Sequence, residues 1–406
     1  MSNFVSQNPL LVVTVVKAAV VLIALLTAVA YLTWFERKAV AHIQSRLGPY
    51  FVGPHGLLQP LADGIKNIFK EDITPAGVYR FTYFLAPFLS LGLALTSIAL
   101  IPFGPAEVEV FGVTTNLAIA EVNVGLLILF AITSLSVYGV ALAGWSSNSK
   151  YPLLGALRSS AQMVSYELTL TLSVVGILLM TQTFNLREII VHQAGHYWGF
   201  IPRWHFFAAP FPQVIGFLCF FTAAVAETNR APFDLAEAET ELVAGFHTEY
   251  ASMKFAMFFI AEYAAMVTVS ILASLLFFGG WLSPFPAEWG WTLYIPTFAL
   301  GIGALLLFWD GARYPTLFGK ILMPVLGLVL AGLAFASAQP GLIHVIHGPF
   351  WFLGKVFFFL FLYVWIRGTL PRLRYDQLMN FGWKVLLPVV TLNVLLTAVA
   401  ILVFQK

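Results

Sequence analysis

Ten apolar stretches follow one another along the chain, at 9–33, 81–104, 121–143, 152–181, 206–226, 249–279, 289–309, 320–338, 349–367 and 383–404. Each is close to the roughly 20 residues that a helix needs to cross about 30 Å of hydrocarbon. Because a backbone in lipid must satisfy its own hydrogen bonds, such stretches predict helices and little else. The expected fold is all-α: a polytopic transmembrane bundle of about ten spans, with residues 1–406 forming a single membrane domain. Composition agrees, since 10% of residues are charged against roughly 25% in a soluble domain. The first stretch carries a cleavage-like Ala28-Val29-Ala30, but it is long, lacks a preceding basic residue and is followed by Glu36-Arg37-Lys38, so a retained helix is expected.

Lys and Arg are distributed by side. With the N-terminus outside, the inner loops take nearly all of them, from Arg37 to Lys384, and the outer side keeps Arg187, Arg203 and Lys406. The positive-inside rule then places both termini on the outer side, and Trp34, Trp145, Trp281, Trp289, Trp309, Trp351, Trp365 and Trp383 fall near span ends, where indole rings prefer the interface. A net charge of +2 spread in this way argues against nucleic acid as a partner. The single cysteine, Cys219, cannot alone hold zinc or an iron–sulfur cluster, and the histidines lack ligand spacing, so no metal site is expected and any redox cofactor belongs on a partner. Walker, HExxH and CxxC patterns are absent.

The inner face therefore collects the informative loops. In residues 34–80, Leu57, Leu61, Ile65, Ile68 and Phe69 recur at helical spacing opposite Asp63, Lys66, Asn67 and Lys70, which predicts an interfacial amphipathic helix. Such a helix is either a membrane-surface anchor or a lip over an opening for a lipid-like substrate. Glu167 and Glu262 lie well inside apolar runs, where an ionised group is costly and is retained to pair or to move protons. Lys17 and Lys355, themselves within spans, are candidate partners for them, and Glu121 at a span end is less informative.

The densest charge is in AETNRAPFDLAEAETELVAGFHTEY, where residues 227–248 carry Glu227, Asp234, Glu237, Glu239 and Glu241 beside Arg230. Asp234, Glu237 and Glu241 would share one helical face, with Asp234 and Glu237 in the form of a capping box. Their mutual repulsion needs water, Arg230 or protonation to relieve it, so a solvated acidic face and a functional cluster both remain open. Pro232 and Phe233 suggest a loop that packs.

Four segments, ERKAVAHIQSRLGPYFVGPHGLLQPLADGIKNIFKED, GWSSNSKYPLLGALRSSAQMVSYE, AETNRAPFDLAEAETELVAGFHTEYASMKFAMFFIAEYA and WIRGTLPRLRYDQLMNFGWKVLLP, together resemble the successive signatures of the H subunit of respiratory complex I, the bacterial counterpart of mitochondrial NADH dehydrogenase subunit 1. With the intervening spans, the resemblance covers most of the chain. It implies a membrane subunit of proton-pumping NADH:quinone oxidoreductase, not active alone, that meets the quinone-site and iron–sulfur subunits of the peripheral arm and small membrane-arm subunits. Quinone would be a substrate, with FMN and iron–sulfur clusters on the partners. Onto matching positions it carries Glu36, Arg37, Arg46, Asp63 and Lys66 at the quinone opening, Arg372 and Arg374 near the same chamber, Arg230 and Phe233 beside the quinone path, and a proton path through Glu227, Asp234, Glu237, Glu239, Glu241, Glu167 and Glu262. Two departures stand out: Tyr50-Phe51 replaces the common Asn-Arg, and residues 287–345 read as an inserted helical hairpin beyond the usual eight spans. A membrane component of a respiratory hydrogenase, a free-standing cation transporter and a structural anchor are the alternatives. Alanine and glycine usage favours a bacterial plasma membrane.

Overall fold

The structure is a computed structural model that describes residues 9–104, 108–110, 113–234, 243–286, 288–339 and 342–404. Within them nine helices are long and apolar enough to cross a membrane, and a shorter apolar helix, Val214–Glu227, joins them. The chain is thus a polytopic helical membrane protein. In order, the helices are α1 (Pro9–Ile43), α2 (Gln59–Phe69), α3 (Arg80–Ser97), α4 (Gly125–Ser146), α5 (Lys150–Thr181), α6 (Leu186–His192), α7 (Val214–Glu227), α8 (Ser252–Phe277), α9 (Ile295–Arg313), α10 (Leu317–Ala338), α11 (Ile343–Thr369), α12 (Tyr375–Phe381) and α13 (Leu387–Phe404). A π-turn, Gly382–Leu386, welds α12 to α13 into one span. Two small antiparallel hairpins, Val108–Val110 with Val113–Thr115 and His196–Tyr197 with Ile201–Pro202, make up the described strands.

Two boundaries differ from expectation for local reasons. α1 runs past residue 33 to Ile43 because Glu36-Arg37-Lys38-Ala39 are good helix formers and the breakers Gly48 and Pro49 come later. Glu36 and Arg37 therefore sit on a helix, not in a loop. α7 begins at Val214 instead of 206 because Pro210 and Pro212 cannot donate to a helical ladder.

α8 is the axis of the bundle. Its Ala264, Ala273, Leu275, Leu276 and Phe277 have no exposed surface, and they share one core with Leu126 and Leu129 of α4, Val174 and Ile177 of α5, Phe220 of α7 and Phe359 of α11. Lipid tails are as apolar as leucine, so such contacts are favoured by tight packing and by small residues at crossings. Gly139 of α4 meets Ser90 of α3, and Gly144 meets Ala156 of α5; a methyl group at either would overlap its neighbour.

Polar ties add direction to this packing. Gln213 donates to Thr397 at 2.9 Å and accepts from Asn393 at 3.0 Å, fastening α13 to the start of α7. Lys355, a candidate partner for a buried acid, instead donates to the carbonyls of Phe278, Gly280 and Leu282 at 2.7, 2.9 and 2.7 Å. It holds the turn after α8, where Gly279 and Gly280 take positive φ. Lys17 likewise meets a carbonyl, that of Asn116, at 2.7 Å. Among the described residues, neither lysine counters an intramembrane carboxylate.

At this same end of α8, His205 is fully buried and donates from Nδ1 to the Leu276 carbonyl at 2.7 Å, which leaves Nε2 facing Nδ1 of His192 at 3.3 Å. Burial lowers the His205 imidazole from 6.5 to about 4. Between those values the unfolded chain binds the extra proton, so stability rises with pH across the window and is complete above it. The thermal midpoint of the detergent-solubilised complex is expected to fall between pH 7 and pH 5, and His205→Gln is expected to flatten that fall. A slope that the substitution leaves untouched would rule His205 out as its source.

Candidate functional site

The site begins where α7 ends. Asn229 takes a left-handed turn, φ 49°, a conformation that Asn tolerates better than most side chains, and the chain reverses so that Arg230 N–H returns to the Val225 carbonyl at 3.2 Å. Gln162 of α5 spans the reversal, donating to the carbonyls of Ala226 at 2.7 Å and Phe233 at 2.8 Å. Leu373 N–H adds a bond to the Pro232 carbonyl at 3.0 Å. Phe233 is buried with its ring 5.8 Å from Tyr166, as its neighbourhood in sequence suggests.

This reversal aims a buried arginine at two acids on different helices. Arg230 pairs with Glu36 of α1 at 3.4 Å and with Glu262 of α8 at 3.0 Å, and its guanidinium lies 4.3 Å from the Tyr263 ring centroid. Glu36, only 3% exposed, also accepts from Tyr263 at 2.7 Å and from Arg367 of α11. Two carboxylates and two guanidiniums thus form one cluster, close to neutral as a set, in which Glu36, Glu262 and Arg230 are largely enclosed and Arg367 reaches the surface. Each charge there would be costly alone, because the interior solvates an isolated ion poorly. Arg367 and Tyr263 were not among the candidates. Tyr263 was findable, as a phenol beside an intramembrane acid; Arg367 looked like one more positive-inside residue at a span end.

On the other side of Glu262 lies a cavity of about 90 Å³ between α3, α4, α5 and α8. Glu227, Glu262, Ser90, Ser97, Thr133, Ser136 and Thr268 contribute its polar lining. Glu227 closes α7 as its last residue, within the bundle and not in an open loop. Its Oε2 and the Ser90 Oγ are shut off from solvent with no protein partner among the described residues. Glu167 of α5 stands next in line, close enough to Glu227 for their charges to interact, and accepts a hydrogen bond from Ser134 of α4. Glu262 is therefore common to the arginine cluster and to the cavity.

The remaining candidates divide. Asp234 is met by Arg372 at 2.8 Å, so Arg230 serves Glu36 and Glu262 while Arg372 takes the acid expected to need it. Arg37 pairs with Asp63 of α2 at 2.7 Å. Arg374 meets the nearby Asp376, at 3.4 Å, Arg46 meets the side chain of Gln44, and Lys66 projects from the exposed side of α2. Glu121 pairs with Arg187 at 3.3 Å, away from these groups. Glu237, Glu239 and Glu241 lie outside the described residues, and so does the Glu237 half of the expected capping box.

The family model described as NADH dehydrogenase matches residues 16–398. The chain belongs to that family. It is 52% identical to the first of the NADH-quinone oxidoreductase H subunits of Solibacter usitatus over 95% of this chain and 96% of that one. It is 49% identical to the second such H subunit of Koribacter versatilis over 96% of each chain, and 44% identical to the NADH-quinone oxidoreductase H subunit of Deinococcus radiodurans over 97% of this chain and 84% of that one. The Solibacter match runs over 385 residues. Membership of this family makes the chain a membrane subunit of an oxidoreductase complex.

Arg230 is the member of this site whose loss should be felt most. Arg230→Met leaves Glu36 and Glu262 short of countercharge, at about 3–5 kcal/mol for a broken buried pair. The expected outcome is a sharp fall in the thermal midpoint and yield of the assembled complex, while Arg374→Met changes neither.

Proposed function

We propose that this chain lines the quinone chamber of NADH-quinone oxidoreductase and couples quinone reduction to proton movement through buried carboxylates. The observation that carries the reading is the double membership of Glu262, which touches Arg230 on one side and the Glu227 cavity on the other. The chamber would lie on the α1–α2 side, with Glu36, Arg37, Arg46, Asp63 and Lys66 near its opening and Arg230, Phe233, Arg372 and Arg374 deeper along it. Electrons would arrive from an iron–sulfur cluster on a partner subunit that is itself supplied through FMN. This chain supplies position, charge and proton handling.

Reduction of a quinone takes up electrons and protons in equal number, so the charges around the headgroup must readjust with each turnover. Arg230 is the natural transmitter because Glu36 and Glu262 compete for it. If a change at the quinone side draws Arg230 toward Glu36, Glu262 loses its counter-ion and gains affinity for a proton. At about 4 Å and an effective dielectric constant of about 20, one such pair contributes on the order of 4 kcal/mol. That is ample to reverse the protonation of a carboxyl. Glu227 can supply the proton across the cavity, where orphaned polar atoms and sufficient volume favour bridging water, and Glu167 lies beyond it. Asp234, held by Arg372, and the adjacent acids Glu237, Glu239 and Glu241 would feed the same path from the loop.

The chain would sit in a bacterial plasma membrane with the loops after α1, α4 and α7 inside and both termini on the outer side, as the Lys and Arg distribution favours. The test uses the assembled complex in sealed vesicles. Glu227→Gln and Glu167→Gln keep size and hydrogen bonding but remove the titrating group, and each is expected to reduce quinone-linked NADH oxidation or proton uptake by on the order of tenfold or more. Full retention of both activities in both variants would overturn the coupling role.

A further inference from the structure

The α9–α10 hairpin presents most of its surface outward, with Phe298, Leu305, Leu328 and Phe335 exposed. At one end, however, it makes a specific polar contact with a distant part of the chain. Asp310 of α9 reaches His55 Nε2 at 2.8 Å, and the hydroxyl of Tyr314, just after α9, accepts from the backbone N–H of His55 at 3.0 Å. Tyr314 is itself buried, and its ring fills the space over Gly319 at the start of α10. His55 itself takes φ 51°, in a turn where Gly53 and Gly56 also have positive φ, at 74° and 76°; a non-glycine residue holds that left-handed conformation at a cost its surroundings must offset.

Those surroundings are divided between two elements. From α1, Lys38 and Trp34 donate to the His55 carbonyl at 2.8 and 3.2 Å. From the hairpin come Asp310 and Tyr314, and Tyr50 closes the group with its ring 6.0 Å from that of His55. The turn leads directly into α2, where Gln59 and Arg37 both bond Asp63, at 2.8 and 2.7 Å. The far end of α2 is held by Ser252, whose hydroxyl lies 2.8 Å from the Asn67 carbonyl and 3.0 Å from that of Lys70. Between these two anchors the apolar side chains Leu61, Ile68 and Phe69 face outward.

We propose that the hairpin is a strap: Asp310 and Tyr314 act as positioning residues that hold the Gly53–Gly56 turn, fix the near end of α2, and so set the mouth through which a long-tailed quinone passes from the bilayer. The proposal rests on the quinone-chamber reading above. A headgroup with a short tail can reach the chamber through a loosened mouth about as well as through a fixed one. A long isoprenoid tail must thread the gap beside α2 and depends on its shape. The strap thus acts on passage and leaves reduction itself alone.

The test uses the intact complex in proteoliposomes with Asp310→Asn, Tyr314→Phe and the double variant, each a small change at a half-exposed or hydroxyl contact. Hydrogen exchange over residues 48–58 is expected to accelerate, and the KM for a long-tailed quinone to rise by about fivefold with kcat and the KM for a short-tailed quinone little changed. Asp310→Glu, which keeps the carboxylate, is expected to restore most of the long-tail KM. Unchanged exchange at 48–58 in the double variant overturns the strap; faster exchange with both KM values unmoved overturns its role at the mouth. These outcomes stand apart from failure of the proposed function, whose coupling role would fall with full activity of the Glu227 and Glu167 variants while the exchange result stood.

Discussion

Everything at the centre of this bundle turns on one guanidinium having two carboxylates to choose from. Arg230 lies between Glu36 and Glu262 at 3.4 and 3.0 Å, held in a reversal that Gln162 bridges at both ends. A buried cation serving one acid would be a structural pair and nothing more. Serving two acids on separate helices, it becomes an exchangeable resource, since whatever strengthens one pairing weakens the other. The second guanidinium, Arg367, also pairs with Glu36, so that acid does not depend on Arg230 alone. The fold protects this balance by placing it against α8, the most enclosed helix of the structure.

Much of this was legible in the residues, and what was not has definable causes. The long apolar stretches gave away the spans because crossing a bilayer demands length and hydrophobicity together, both of which can be counted. Glu167 and Glu262 were conspicuous because charge inside such a stretch is rare. Pairing was not legible. Lys355 and Lys17 were candidate counter-ions of the buried acids, yet both bind backbone carbonyls, a use of lysine that no spacing rule signals. Arg367, the true second partner of Glu36, carried no mark to separate it from other basic residues at span ends. Glu227 read as the first residue of a loop, whereas its helix ends later than the apolar run and turns the carboxyl inward. Contacts between residues hundreds of positions apart, such as His55 with Asp310, depend on helix packing and leave no trace in local pattern.

The margin of the molecule around the His55 turn and α2 shows a second theme, the use of side chains to fix backbone that has no ladder of its own. Lys38, Trp34 and Tyr314 satisfy both backbone groups of His55, and Ser252 serves the last carbonyls of α2. Elsewhere Lys355 does the same for the turn after α8. In a chain with only 10% charged residues, spending several on backbone oxygens indicates that the shape of these turns matters as much as charge balance in the core.

The shortness of α7 has an electrical consequence. Its 14 residues rise about 21 Å, roughly two thirds of the hydrocarbon thickness, and Glu227 at its end shares a cavity with Glu262, which lies several turns along α8 from Ser252. In a bilayer spanned by the neighbouring long helices, that carboxyl would lie part-way down the drop in membrane voltage. A proton moving the full distance exchanges about 2.3 kcal/mol per 100 mV, and one that stops at Glu227 exchanges only a fraction of it. If Glu227 carries protons as proposed, an energised membrane would act directly on the occupancy of this acid, giving the respiratory load a physical point of contact with the chain.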